Sequence, residues 1–284
     1  MSVEVRSVQR RKTTGQARIR SVVPRGFVPL IIPAVLVVLW WLGSTSSTNG
    51  LFVAPPVDVT HRVFADFFSA SPRDFFLGQV ARDHLIPSLT RALLGFALAT
   101  ILGVTIGIAL GISSVLTALF EPLIHLGRSL PTPALIGVFF LLFGTGDMPK
   151  VLLIAFGVIW PILFNTIDGA RAIGTVRGQV AEVFKIRRRD VLFHVVLPGA
   201  APKIFAGVRI ALSLSLILMI ISELQKSKNG LGYLLVYAQR NFDYEGFWSI
   251  LVVLALVGIL FNLVLVLIER RALSWHRGVA SHHE

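Results

Sequence analysis

Residues 176–203, VRGQVAEVFKIRRRDVLFHVVLPGAAPK, decide how this chain is read. They lie between long apolar runs, yet Arg177, Lys185, Arg187, Arg188 and Arg189 make them too polar to sit in lipid. Val176, Val180, Val183 and Phe184 recur at i, i+4, i+7 and i+8, which places them on one face of a short helix. Three arginines interrupt, and Asp190 is the expected N-cap of a second helix carrying Val191, Leu192, Val195 and Val196. Pro198 and Gly199 are expected to stop that helix, and Pro202 to open the next. Two apolar stripes on a basic loop must lie against something. The bilayer surface or the protein's own cytosolic end is one answer, and a partner subunit is the other.

Composition sets the class. Of 284 residues, 54% are hydrophobic and 15% charged, against about 25% charged in an ordinary soluble domain. The chain reads as an integral membrane protein. Its net charge of +12 falls between apolar segments, not along one interleaved face, so it reads as topogenic charge and not as a nucleic-acid surface. The absence of cysteine excludes a disulfide framework, a thiol nucleophile and a cysteine-ligated metal.

Working outward from the loop, the expected architecture is all-α with six transmembrane helices. A basic cytosolic tail (1–26) precedes the membrane domain (27–268, with the organising loop at 168–203), and a second cytosolic tail (269–284) follows. The apolar run 27–42 is read as an uncleaved anchor, because it exceeds the usual signal core of about 7–15 residues. Residues 44–87 have balanced charge, which suits the outer face, and contain an amphipathic stretch with Val63, Phe64, Phe67 and Phe68. In the second span (89–110), Gly103, Gly107 and Gly111 fall four residues apart with Gly95 near the same stripe, a ladder that lets helix backbones approach closely.

The third span is irregular. Glu121, His125 and Arg128 share a face, as an internal ion-pair brace or part of a pathway wall, before Pro131 and Pro133 break the helix. Irregular backbone at membrane depth requires protein or a cavity around it. Pro161 predicts a kink in the fourth span, and Asn165 below it needs a polar partner, read first as another helix. The fifth and sixth spans cover 204–222 and 247–268, with Arg209 near enough to the inner end to snorkel. Lys150, Lys226 and Lys228 near the outer face are read as solvated surface lysines. Pro131, Phe143, Asn165 and Glu223 are the candidate pathway or gate residues.

No catalytic constellation is present: the sequence has no G-x-x-x-x-G-K-[ST] string to hold a nucleotide, and no ionisable relay crosses mid-membrane. A transporter without its own energy source needs a partner that supplies one. A self-sufficient secondary transporter or channel is the alternative.

The flanking motifs carry a resemblance. Ala54-Pro55-Pro56, Leu142-Phe143-Gly144-x-Gly146 with Lys150, Pro161 with Asn165, Gly207-x-Arg209 and Gly230-Leu231-Gly232 stand where permease subunits of binding-protein-dependent ABC importers have like residues. The subfamily resembled is that of nitrate, taurine, alkanesulfonate and bicarbonate systems. Its cytosolic motif, E-A-A-x-x-x-G followed by a Leu-Pro, aligns with Gln179-Val180-Ala181, Lys185 and Leu197-Pro198; Gln179 and Lys185 depart from it.

The resemblance implies that Gln179, Val180, Ala181, Glu182, Val183, Phe184, Lys185 and Ile186 couple to a cytosolic ATPase. It further implies two ATPase subunits that bind the ATP, a second permease copy forming a homodimer, and an external substrate-binding protein. No cofactor, metal or catalytic residue is expected in this chain itself. The solute implied is small and anionic, and the location is a bacterial inner membrane with both termini in the cytosol.

Overall fold

The computed structural model describes residues 28–45, 52–68, 76–225 and 227–274, with the side chains of 28–30 and 174–182 outside the description. Every described element is helical, apart from one isolated bridge between Phe68 and Leu77. The helices are α1 (Val28–Ser44), α2 (Pro56–Phe67), α3 (Ile86–Gly111), α4 (Ser114–Ser129), α5 (Ile136–Phe143), α6 (Met148–Val183), α7 (Arg188–Val191), α8 (Leu197–Leu224), α9 (Leu231–Arg240) and α10 (Tyr244–Ala272).

Among the described residues, four helical stretches are long and apolar enough to cross a membrane: Ala81–Gly111, Met148–Ile173, Arg188–Leu224 and Tyr244–Ala272. A fifth crossing forms if α4 and the Thr132–Phe143 segment, bent by 82° at their junction, count as one broken span. The break falls at Pro131 and Pro133, as expected. Apolar α1, at 17 residues, is shorter than the roughly 20 residues that span a bilayer and takes the place of the expected first span.

The core is built on α6. The glycine ladder of α3 faces it: a Cβ at Gly95 would meet Ile154, at Gly103 Ile162, at Gly107 Thr166 and at Gly111 Ala170, each within 3 Å. Ala99, buried, completes the four-residue repeat between Gly95 and Gly103. In lipid no hydrophobic drive joins two helices, so this close approach and its dispersion contacts hold the pair. On its other side α6 receives α8, where a Cβ at Gly207 would lie 2.7 Å from the Pro161 carbonyl. Ala92, Val158, Val208, Ala211 and Met219 fill the three-helix centre. A second cluster joins α2, α9 and α10 through Val63, Phe67, Leu235, Ile250 and Val253.

Three expectations are corrected. The valine stripe at 176–184 is not a separate short helix: α6 continues through Pro161 and out of its span for 36 residues in all, about 54 Å of helix against a hydrocarbon core of about 30 Å. Asp190 is not an N-cap; that place is Arg187, and Asp190 lies in the first turn of α7. Pro198 and Gly199 do not stop the helix. The chain stays helical from Arg188 to Leu224, because a π turn at Leu192–Val196 precedes Pro198 and sends the Leu197 N–H back to the Leu192 carbonyl. The wider turn re-registers the ladder where proline lacks a donor. The same device opens the second span, where a π turn at Ala81–Leu85 precedes Pro87.

Candidate functional site

The C-terminal end of α6 forms an apolar tip. After Val183 the helix ends, Phe184 and Lys185 turn the chain, and Ile186 and Arg187 lead extended into α7. Lys185 takes φ +52, the left-handed region that closes many helices and that glycine occupies without strain. Val183 is 78% exposed and Phe184 73%, with Ile186 half-exposed beside them. The second stripe behaves differently: Val196 is buried and Val191, Leu192 and Val195 are half-buried. The chain itself therefore covers the second stripe, whereas Val183 and Phe184 of the first are exposed. Gln179, Val180, Ala181 and Glu182 occupy the last turns of α6, with side chains outside the description.

At the opposite end of α6 a buried ion cluster ties four segments together. Arg91 of α3, 2% exposed, donates from Nη1 to Glu223 Oε1 at 2.6 Å and from Nε to Asp147 Oδ1 at 2.8 Å. It also bonds the side chain and carbonyl of Asn229. Ser88 donates to Glu223 and accepts from the Leu231 N–H at 2.8 Å, while Glu223 Oε2 accepts from the Gly232 N–H at 3.0 Å.

The first donors of α9 thus point at a carboxylate, a favourable end for a helix dipole. This explains Gly230-Leu231-Gly232: Gly230 has φ +113, and a Cβ there would fall 2.3 Å from the Glu223 carboxylate. Lys150 is not a solvated surface lysine. It is buried and donates to Ser227 Oγ at 2.7 Å. Lys228 is exposed as expected, and Lys226 lies outside the described residues.

The four gate candidates occupy separate settings. Pro131 is the exposed corner between α4 and the following 3-10 turn, and Phe143, half-exposed at the end of α5, touches Phe139. Asn165 finds its partner within its own helix, donating to the Pro161 carbonyl at 2.8 Å, and not across to another helix. Glu223 belongs to the ion cluster. The Glu121–His125–Arg128 stripe is not an internal brace: His125 Nε2 and Glu121 Oε1 are 3.8 Å apart and exposed, and Arg128 lies over the Phe164 ring. Arg209 of α8 meets Glu269 of α10. No group of three or more metal-ligating side chains occurs among the described residues.

Residues 99–274 match the family described as binding-protein-dependent transport system inner membrane component. The chain belongs to that family. It is 31% identical to the taurine transport system permease protein TauC of Escherichia coli, over 86% of this chain and 87% of the relative. The nitrate import permease protein NrtB of Synechocystis is 26% identical, over 87% and 89%. The bicarbonate transport system permease protein CmpB of Synechococcus elongatus is 33% identical, over 65% and 67%. A chain of the MetNI methionine ABC transporter, solved in inward-facing conformations, shares the fold with TM-score 0.59 and 17% identity, covering 68% of this chain and 95% of that one.

This binding-protein-dependent permease is thus an all-α, multi-pass inner-membrane component. Its sequence motifs acquire physical reasons: Gly207 allows α8 to cross the α6 backbone, and Gly230 and Gly232 make room for Glu223. Sequence reading missed Ser88, Arg91 and Asp147 as a set. The available signal was Arg91 itself, a cation inside an apolar span, which demands a buried partner.

Proposed function

We propose that the chain is the membrane-spanning subunit of an ATP-driven importer, and that the Val183–Phe184–Ile186 tip docks into a separate cytosolic ATPase. The uncovered tip at the end of an unbroken α6 is the observation that carries this reading. A stripe of that kind in water costs free energy until a partner covers it. ATP is bound and hydrolysed by two ATPase subunits, and the chain itself catalyses nothing. Closure of the ATPase pair pushes the tip, and α6 transmits the displacement along the glycine ladder and α8 to its outer end. There it meets the cluster of Asp147, Arg91 and Glu223. A second copy of the chain completes the pathway, an external binding protein delivers the solute, and both termini face the cytosol.

The relatives' names support a small anionic solute of the sulfonate, nitrate or bicarbonate type. Among the four gate candidates, Glu223 is assigned to holding the outer ends of α3, α8 and α9 together. Pro131, Phe143 and Asn165 are assigned to shaping the pathway. The test is co-purification. Phe184→Asp places a carboxylate in the docking groove, where an unpaired charge is costly, so the ATPase is lost while the chain stays in the membrane. Retention of a stoichiometric ATPase by this variant rejects the docking role.

A further inference from the structure

Helix α2 carries three distinct stripes. Val59, Val63 and Phe67 are buried against the chain; Asp58, His61 and Arg62, with Ala65 among them, form an exposed polar stripe; Val57 and Phe64, joined by Phe68 at the extended C-cap, form an exposed apolar stripe between them. The two exposed stripes are about a quarter-turn apart on a helix of 3.6 residues per turn. The amphipathicity is therefore not exhausted by packing: an apolar side remains exposed among the described residues, with the Phe64 and Phe68 rings 5.4 Å apart.

Both ends of α2 are fastened to the outer ends of spans. Before it, Trp40 Nε1 donates to the Ala54 carbonyl at 3.1 Å and Trp248 Nε1 to the Phe52 carbonyl at 3.0 Å, and the two indoles pack at 5.6 Å. Trp40 lies one turn from the end of α1 and Trp248 one turn from the start of α10, about 6 Å inside each helix. In its middle, Arg62 meets Asp243, the residue that caps α10. After it, the Phe67 carbonyl accepts from Gly78 and Phe68 bridges Leu77, just before the second span opens at Ala81. α2 is thus tied at both ends and its middle to α1, to the start of α10 and to the segment that opens the second span.

We infer that α2 is an interfacial helix, with Val57, Phe64 and Phe68 inserted at the headgroup–acyl boundary of the outer leaflet and the Asp58–His61–Arg62 stripe in water. The occupant of the apolar stripe is the lipid bilayer. The aromatic surroundings of the stripe fit this assignment. Phe52, Phe76 and Phe242 are exposed there, Phe52 edge-on to Tyr244 and Phe242 beside it. Trp40 and Trp248, half-buried with their indole N–H groups bonded, and Tyr244 are of the residue types that settle at this boundary. Phe76 and Phe242 also take positive φ, at +61 and +56, backbone settings that aromatic residues rarely adopt. Each presents a bare ring outward from that setting, which water does not reward and lipid does. Asp58, His61, Arg62 and Glu245 line one open pocket, and this seating turns that pocket to the external water and sets the depth of the permease.

Because the chain has no cysteine, single spin labels read the surface directly. Phe64→Cys, Phe68→Cys and His61→Cys are labelled in the full-length chain, reconstituted in vesicles of phosphatidylethanolamine and phosphatidylglycerol. Power saturation is then measured with oxygen, which concentrates in lipid, and with a water-soluble nickel chelate. The expected result is several-fold greater oxygen than nickel accessibility at Phe64 and Phe68, and the reverse at His61. Nickel accessibility at Phe64 and Phe68 equal to that at His61 overturns the inference and leaves the stripe to a soluble partner. Low accessibility to both reagents overturns it equally and assigns the stripe to a second protein chain.

Discussion

Substituting Lys185 separates backbone geometry from charge at the tip. The left-handed conformation costs an L-residue about 1–2 kcal/mol, and Lys185 holds it at φ +52. Glycine removes that cost but adds about 0.4–1 kcal/mol of unfolded-chain freedom. The net for Lys185→Gly is a turn stabilised by about 0–1.5 kcal/mol, at most about tenfold in docking affinity if the turn must be formed to dock. Lys185→Val removes the same charge but places a β-branched residue at positive φ, so it weakens the turn. An exposed ion pair to the partner, were there one, would contribute about 0–1 kcal/mol and would be lost in both variants. The assay is titration of purified ATPase subunit against each variant in nanodiscs, with ATP turnover as a second readout. Gly equal to or tighter than wild type, and Val weaker, is the expected order. Equal weakening by Gly and Val would refute the geometric argument and establish a charge contact.

Three further outcomes follow from the packing and topology. Gly107→Leu forces a side chain into Thr166, where even a Cβ would fall 2.6 Å away; overpacking costs about 1–3 kcal/mol, so this variant loses folded yield while exposed Ala109→Leu does not, by size-exclusion recovery after heating. Arg91→Met strands the buried Glu223, a loss of about 3–5 kcal/mol, and Gly230→Ala crowds the same carboxylate, so both lower the thermal midpoint in detergent well beyond Lys228→Ala. Lys228→Cys is labelled by an impermeant maleimide from outside the cell and Arg188→Cys only from the cytosolic side; labelling of both from one side rejects the topology.

The glycine ladder was legible in the sequence because its four-residue spacing is the helix repeat itself, and α6 meets every member of it. The bend at Pro131 was legible for the same local reason. The continuity at Pro198 was not: a π turn leaves no periodic trace, and Pro-Gly after a polar stretch reads as a stop. The ion cluster was hidden because Arg91 and Glu223 lie 132 residues apart, so no pattern along the chain pairs them. Asn165 was assigned outward to another helix, whereas a carbonyl four residues back satisfies it. Lys185 aligns with the glycine of the family motif, and its positive φ is a setting that glycine takes without strain.

The most direct test of the central claim is uptake by the assembled complex in proteoliposomes, supplied with its binding protein and a radiolabelled small anion. The account predicts accumulation that requires ATP on the side of the Val183–Phe184 tip, is unaffected by collapse of proton and sodium gradients, and is abolished by Phe184→Asp. Accumulation driven by an ion gradient without ATP, or retained in full by Phe184→Asp, would contradict it.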